Sequence, residues 1–275
     1  MSNSVNTNVG AMIALQNLNA TNTELATTQS RINTGKKISS VKDNGAIWAI
    51  AQGQRAEIGA LGAVKQSLDR GVAAVDVALA AGETVSDLLL QLKEKALAAT
   101  DASLKTAARA ALNEDFQALR DQIATVTANA EFNGINLLKT GATGFNALAN
   151  AQGNATITVG AEVMALGSTN VTVSATQSIE TLTKASASLA VVNASIDNVS
   201  GALARLGTKS KALGTHLKFV GNLSDTLESG VGNLVDADLA KESAKLQALQ
   251  TKQQLGVQAL SIANQTPQLV LSLFR

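Results

Sequence analysis

The sequence lacks several residue types on which compact proteins rely. It has no cysteine and no tyrosine, one histidine, one tryptophan and one proline in 275 residues, and aromatic residues make up 2% of it. Without cysteine there is no disulfide framework, and with a single histidine there is no His or Cys cluster for zinc. Because globular cores normally use aromatic rings, we expect thin helical layers packed with Ala, Leu and Val instead.

A strong charge of either sign is also missing. Twenty-two basic residues oppose 21 acidic ones, for a net charge of +1. No basic stripe is visible, so neither nucleic acid nor an anionic membrane surface is a predicted partner. The first 20 residues lack the basic segment and apolar run of a cleavable signal peptide. The uncharged stretch 253–274 is long enough to span a bilayer, but its many Gln and Asn side chains oppose that interpretation.

Both ends of the chain combine little charge with helical periodicity. Residues 1–30 carry one charged side chain, Glu24, and residues 253–274 carry none. Apolar and small residues alternate at spacings of three and four, which is typical of a helix that packs along one seam. The N-terminal seam comprises Ala11, Ala14, Leu18, Thr21, Leu25, Thr28 and Ile32. The C-terminal seam comprises Leu239, Leu246, Leu249, Gln253, Gly256, Leu260, Ala263 and Pro267. We expect these two helices to pair and then to pack against other copies.

The middle of the chain predicts long helices around a small β region. Apolar residues keep helical spacing over 44–99, where a helix of roughly 50 residues would be about 75 Å long. A second stripe follows over 104–126, and another runs over 179–227. Between them, the turn dipeptide Asn133-Gly134 precedes two short alternating runs, 155–159 and 170–174, which predict strands. The predicted fold is therefore mainly α: an elongated antiparallel, coiled-coil-like bundle with a small β-hairpin region at one end and paired terminal helices.

Candidate sites for chemistry are few, and each has a structural interpretation that is stronger. The residues considered are His216, the carboxylates Asp236 and Asp238, Trp48, and the basic group Lys36, Lys37 and Lys42. The carboxylates lack calcium-loop spacing and suit a helix N-terminus, and Gly35-Lys36 lacks the earlier glycine of a phosphate-binding loop. We therefore predict no enzyme activity, no catalytic residue, no cofactor and no metal.

Three stretches resemble bacterial flagellin, the subunit of the flagellar filament. Residues 34–51, Thr-Gly-Lys-Lys-Ile-Ser-Ser-Val-Lys-Asp-Asn-Gly-Ala-Ile-Trp-Ala-Ile-Ala, are similar to the hinge segment of that family, with Lys36, Lys37 and Trp48 as departures. Residues 131–138, Glu-Phe-Asn-Gly-Ile-Asn-Leu-Leu, resemble its turn into the β region. Residues 263–275, Ala-Asn-Gln-Thr-Pro-Gln-Leu-Val-Leu-Ser-Leu-Phe-Arg, resemble its carboxyl end. The likeness implies a short form without large outer domains.

The resemblance implies a division of the chain. Residues 1–33 and 235–275 would be the paired terminal helices of the inner filament core, and 34–43 with 228–234 would be hinge linkers. Residues 44–139 and 177–227 would form the helical rod domain, with a β-rich tip at 140–176. The implied polymerisation interface comprises Leu18, Leu25, Ile32, Leu246, Leu260, Pro267 and Leu271. The implied hinge residues are Gly35, Lys37, Asp43 and Gly230.

The resemblance also implies partners and a location. Such a subunit polymerises with copies of itself and with paralogous flagellins, and it meets flagellar cap and hook-junction proteins, an export chaperone and the export apparatus. It would be extracellular, without a cleaved signal peptide. The stretch 90–96 departs from the pattern that activates the innate Toll-like receptor, with Leu92 where Arg is usual, so we predict weak or no activation. The alternatives are a hook-filament junction protein and a secreted coiled-coil adhesin or translocator.

Overall fold

The computed structural model describes residues 7–272, with side chains described from 7 to 265. Within this range the chain is mainly helical, with one small antiparallel sheet, as predicted. The elements are α1 Val9–Thr34, α2 Gly45–Ala99, α3 Thr106–Asn129, β1 Phe145–Leu148, β2 Thr156–Val159, α4 Leu182–Val235 and α5 Leu239–Ser272. The chain forms two compact units, Met1–Ala56 with Thr226–Arg275, and Glu57–Asp225. Each unit is considered separately below.

The unit Glu57–Asp225 is built from most of α2 and α4, all of α3 and the small sheet. Its core consists of the stripes that the helical spacing predicts, and its largest fully buried side chains include Leu68, Leu89, Leu92, Phe116, Ile123, Leu206 and Leu213. Phe116 is the one aromatic ring among them. Polar contacts join α3 to the segment before α4, because the Asn113 Oδ1 atom accepts a hydrogen bond from the Ile179 amide at 2.8 Å. The core of this unit thus consists mostly of leucine and smaller apolar residues, as the composition indicates.

One close approach depends on a glycine inside α2. A Cβ atom built at Gly82 would lie 2.6 Å from the Leu203 Cδ2 atom of α4 and 3.3 Å from the Met164 sulfur. Gly82 therefore leaves space into which Leu203 packs. Gly59, earlier in the same helix and exposed, has no atom within 4 Å of its built Cβ. The two glycines have the same helical backbone but very different surroundings.

The β region agrees with the sequence in one strand and departs from it in another. β1 pairs antiparallel with β2, Phe145 opposite Val159 and Leu148 opposite Thr156, so the predicted strand at 155–159 is confirmed. The predicted strand at 170–174 is wrong. Val171 and Val173 are fully buried, while the Thr172 amide donates to Ser195 Oγ of α4 at 3.0 Å. The alternation of buried and exposed residues is real, but the segment packs against a helix rather than in a sheet.

The predicted break at 228–234 is wrong in position, because α4 continues to Val235. Gly230 lies inside the helix, where a built Cβ would be 4.0 Å from the Gln54 Oε1 atom, and Val231 and Val235 are buried beside it. Packing of this kind overrides the weak helix propensity of glycine, about 1 kcal/mol. The break comes instead at 236–238. The earlier break is confirmed: α1 ends at Thr34, and Gly35 follows in the left-handed region with φ 67°.

Candidate functional site: the paired terminal helices

Helices α1 and α5 pair along the seams that the sequence predicts. On α1 the less exposed positions are 11, 14, 18, 21, 25, 28 and 32, together with 31 beside the last of them, and on α5 they are 242, 246, 249, 253, 256, 260 and 263. Both sets follow heptad spacing. The one departure is the start of α5, where Leu239 is 50% exposed and Glu242 takes the seam position. The heptad pattern therefore predicts which residues of α5 face α1, except at the first seam position.

Side-chain contacts show that the two helices run antiparallel. The Asn8 Nδ2 atom donates to the Ala263 carbonyl at 2.7 Å, and the Gln253 Nε2 atom donates to Asn22 Oδ1 at 2.7 Å. At the other end of α1, the Arg31 Nη1 atom lies 3.2 Å from Glu242 Oε1. These contacts occur in chain order on α1 and in reverse order on α5, so the helices lie side by side over most of the length of α1.

The seam itself is thin and contains small side chains. Thr21 and Thr28 are almost fully buried on α1, and Gly256 lets the neighbouring helix approach closely, since a built Cβ there would lie 3.3 Å from Leu18 Cδ1. A groove of about 250 Å³ remains along one side of the pair, lined by residues of both helices that include Leu18 and Gly256.

Seven residues were predicted to form the polymerisation interface, and the structure places five of them in this seam. Leu18, Leu25, Ile32, Leu246 and Leu260 are all half-buried between α1 and α5. Pro267 and Leu271 belong to α5, but their side chains lie outside the described residues. The five described residues therefore contact the other terminal helix of the same chain. Their part in polymerisation stays a prediction.

Sequence reasoning missed the apolar side chains that face away from the seam. They are 47–66% exposed, and they comprise Val9, Met12, Ile13 and Leu15 on α1 with Leu255, Val257 and Ile262 on α5. Single exposed apolar residues are ordinary, but a group on one helix pair marks an interaction surface. A signal was present in the sequence: these residues remain once the heptad positions are removed, and almost no charged residue accompanies them.

The predicted hinge residue Gly35 takes part in backbone hydrogen bonds between the segment that follows α1 and the segment that joins α4 to α5. The Ala237 amide donates to the Gly35 carbonyl at 2.9 Å, and the Lys37 amide donates to the Val235 carbonyl at 2.7 Å. Ile38 is buried next to this contact, whereas the Lys37 side chain is exposed. Lys37 thus acts through its backbone, which explains how the segment accommodates Lys where a different residue is usual.

Asp43, a predicted hinge residue, organises the turn that leads into α2. Its Oδ2 atom accepts hydrogen bonds from the Ser39 and Ser40 amides, both at 2.9 Å, and from the two serine hydroxyls at 3.1 and 3.2 Å. The Ser40 amide, followed by the Ser39 amide, holds the pKa of this carboxyl below its usual value of 3.8. Asn44 then caps α2, because its Oδ1 atom accepts from the Ile47 amide at 3.1 Å.

The remaining candidates for chemistry have structural contacts. The His216 Nε2 atom lies 2.7 Å from the Ala149 carbonyl, and its ring is stacked at a tilt near Phe219. Asp238 caps α5 by accepting from the Lys241 amide at 3.1 Å, and Trp48 is half-buried. Among the residues that the structure describes, no group of three or more His, Asp or Glu side chains is placed to hold a metal ion. No helix in that range is long and apolar enough to cross a membrane.

The fold and the helix pair define a class of protein: a helical structural subunit whose terminal helices pair and leave apolar side chains exposed. Solved structures share the fold. They include Bacillus cereus flagellin, with a TM-score of 0.50 at 17% identity over 56% of this chain and 88% of that one. A protein described as a flagellar hook-associated protein of Vibrio parahaemolyticus gives 0.57 at 14% identity over 70% of this chain and all of its own.

Sequence comparisons give the family. The model for the bacterial flagellin N-terminal helical region matches residues 5–143, and the model for the C-terminal helical region matches residues 189–274. Flagellin FljM of Caulobacter vibrioides is 58% identical over 99% of both chains, and a Brucella melitensis flagellin is 38% identical over 99% of both. The chain belongs to the bacterial flagellin family and is a structural subunit of the flagellar filament. The matches favour this interpretation over the junction-protein alternative.

Proposed function

We propose that the α1–α5 pair forms the inner core of the filament and that residues 44–139 and 177–227 form the shell around it, with 140–176 as the tip. The observation that carries this proposal is the set of exposed apolar side chains on the pair, Val9, Met12, Ile13, Leu15, Leu255, Val257 and Ile262. Burial against neighbouring copies would remove that surface from water, which is the main driving force for association. Flagellins form the extracellular filament, and the outer rod and tip would face its surroundings.

A matched pair of substitutions separates the seam from the general surface of α5. Leu260 is half-buried in the seam and Ser261 beside it is exposed. We expect Leu260→Asp to prevent assembly, because a carboxylate buried without a partner costs several kcal/mol, on the order of 3. Ser261→Asp adds the same charge to the exposed side of α5, so it is the control for the effect of charge without burial. Electron microscopy and sedimentation of purified chains would measure both, and normal filaments from Leu260→Asp would refute the seam's role.

The outward side chains need their own test, since loss of the seam and loss of the surface both stop assembly. We expect Ile262→Ser to keep the monomer's helix content, because Ile262 is 66% exposed, while the critical concentration for assembly rises. Removing residues 256–275 should leave a soluble monomer. If Ile262→Ser and the truncated chain both assembled at the wild-type concentration, the inner-core assignment would be wrong.

We further propose that the chain meets the usual machinery of its family: an export chaperone and export apparatus, cap and hook-junction proteins, and paralogous flagellins, with export that needs no cleaved signal. Activation of the innate Toll-like receptor should be weak or absent. Support comes from Leu92, which is fully buried, and from the exposed carboxylate of Glu94 in the same stretch. A reporter-cell assay with the soluble monomer checks this, and strong activation would contradict it.

A further inference from the structure

The unit Glu57–Asp225 exposes two leucines on α2 together with two carboxylates. Leu90 and Leu97 are 51% and 57% exposed, and Asp87 and Glu94 lie on the same helix face at spacings of three and four. We call these four residues the leucine stripe. The neighbouring Lys95 ammonium lies 2.7 Å from the Asp115 Oδ2 atom, and neither Glu94 nor Asp87 belongs to a salt bridge in the described part of the chain. The stripe is apolar, acidic and uncovered.

A groove of opposite charge lies elsewhere in the same unit, between β2 and α4. Its volume is about 510 Å³, and we call it the phenylalanine groove; it is lined by Ile157, Thr208, Lys211, Ala212, Thr215, His216 and Phe219. Phe219 is 56% exposed. The bond from His216 to the Ala149 carbonyl holds one wall in place. Lys211 on the rim and Lys218 one heptad further are exposed, and neither belongs to a salt bridge in the described part of the chain.

The two surfaces match in chemistry and in spacing. The carboxylates of the stripe are seven residues apart, as are its leucines and the two lysines beside the groove, and seven residues of α-helix span about 10.5 Å. Leucines seated against Ile157 and Phe219 would therefore bring each carboxylate near one ammonium group. Complementary charge of this kind sets register and partner choice more than raw affinity.

The stripe and the groove cannot meet within one copy. Gly82 lies against Leu203 and Gly221 against Lys65, so α2 and α4 are antiparallel neighbours. In this register Phe219 is level with about residue 67 of α2, which places Leu90 about 35 Å further along the helix at 1.5 Å per residue. A leucine stripe that fills the groove must therefore come from another molecule.

We propose that the leucine stripe of one copy docks into the phenylalanine groove of a neighbouring copy. The contact joins two different surfaces of the same chain, so it is heterologous and repeats from copy to copy without closing, as a filament requires. This inference rests on the proposed function and adds a specific contact between the outer units of neighbouring subunits. It is separate from the exposed residues of the terminal helix pair.

Charge reversal with rescue tests the contact. Lys211→Glu/Lys218→Glu should raise the critical concentration for assembly about tenfold, as should Asp87→Lys/Glu94→Lys, because each places like charges in contact. The chain carrying all four changes should recover most of the loss. Asp197→Lys, an exposed reversal on α4 outside the groove, is the control. Unchanged concentrations for the two double variants, or no recovery in the combined chain, would overturn the proposal.

Cysteine pairs give a direct readout, since the chain has no cysteine of its own. Either leucine of the stripe can sit against Phe219, so two chains are needed, Leu90→Cys/Phe219→Cys and Leu97→Cys/Phe219→Cys. At least one of them should form a ladder of disulfide-linked multimers when its filaments are oxidised, and its monomer should not. The single variants Leu97→Cys and Phe219→Cys are the controls, because one cysteine can link no more than two copies. Filaments of both paired variants that assemble but give no ladder would refute the docking while leaving the proposed function standing. If the wild-type chain did not assemble at all, the proposed function itself would fail.

Discussion

Gly82→Ala should destabilise the unit Glu57–Asp225, whereas Gly59→Ala in the same helix should stabilise it. Replacing glycine by alanine inside a helix gains about 0.5–1 kcal/mol from backbone entropy. Gly59 receives this gain in full because nothing lies within 4 Å of its built Cβ. At Gly82 the new methyl group would lie 2.6 Å from Leu203 Cδ2 and 3.3 Å from the Met164 sulfur. Forced overpacking of this kind costs about 1–3 kcal/mol.

The two variants should therefore differ in free energy of unfolding by about 1–3 kcal/mol, the overpacking cost alone, because the backbone gain cancels between them. Denaturant unfolding of the soluble monomer, followed by circular dichroism, measures this difference, with the wild-type chain between the two. The atoms that the new methyl group would meet belong to the side chains of Met164 and Leu203. Small movements of these side chains would bring the cost toward the lower end of this range. If Gly82→Ala unfolded at the same denaturant concentration as Gly59→Ala, the reasoning that Gly82 exists to admit Leu203 would be refuted.

Two further predictions concern the hairpin and the hinge. Gly144→Ala should break the β1–β2 pairing, since the added Cβ would lie 2.1 Å from the Val159 carbonyl oxygen, a backbone atom; hydrogen exchange at the hairpin amides should rise to loop-like rates, and retained protection would contradict it. The pKa of Asp43 is lowered in the folded state, so this carboxyl contributes stability at pH values above its ordinary pKa of 3.8. That stability is lost as the pH falls through the lower folded-state pKa. Asp43→Asn should lose less stability than wild type between pH 5 and 2 in acid unfolding; equal losses would argue against the turn contacts.

The helices and the seam could be predicted because one physical pattern determines both. Leu18, Leu25 and Ile32 repeat every seven residues, and that spacing places them on one face whatever the partner is. The pattern does not say whether that partner is the same chain or another copy. The sequence therefore led to Leu18 as a polymerisation residue, although it is half-buried against α5. Apolar residues outside the heptad positions, such as Met12, can be picked out of the sequence, but only the structure of the pair shows that they are exposed.

Boundaries and partners of short segments were harder to predict, for related reasons. Gly230 looked like a break because glycine has low helix propensity, but buried Val231 and Val235 hold the helix together and tertiary packing outweighs propensity. Apolar and polar residues alternate over 170–174 as they do in a strand. Such alternation shows that one face of the segment is buried, but it does not show which element covers that face. In both cases the decisive contact comes from residues distant in sequence, which local patterns do not contain.

The pairing of α1 with α5 has a consequence for how the chain folds. Asn8 and Ala263 are 255 residues apart in sequence, so α1 has no partner until nearly all of the chain is present, whichever end appears first. Its own sequence is too weakly apolar to form a stable helix alone. Contacts of such long sequence separation form late, because closing the loop between them costs entropy before it is rewarded. We therefore expect the helix pair to be the last part of the molecule to fold, after both ends of the chain have been made.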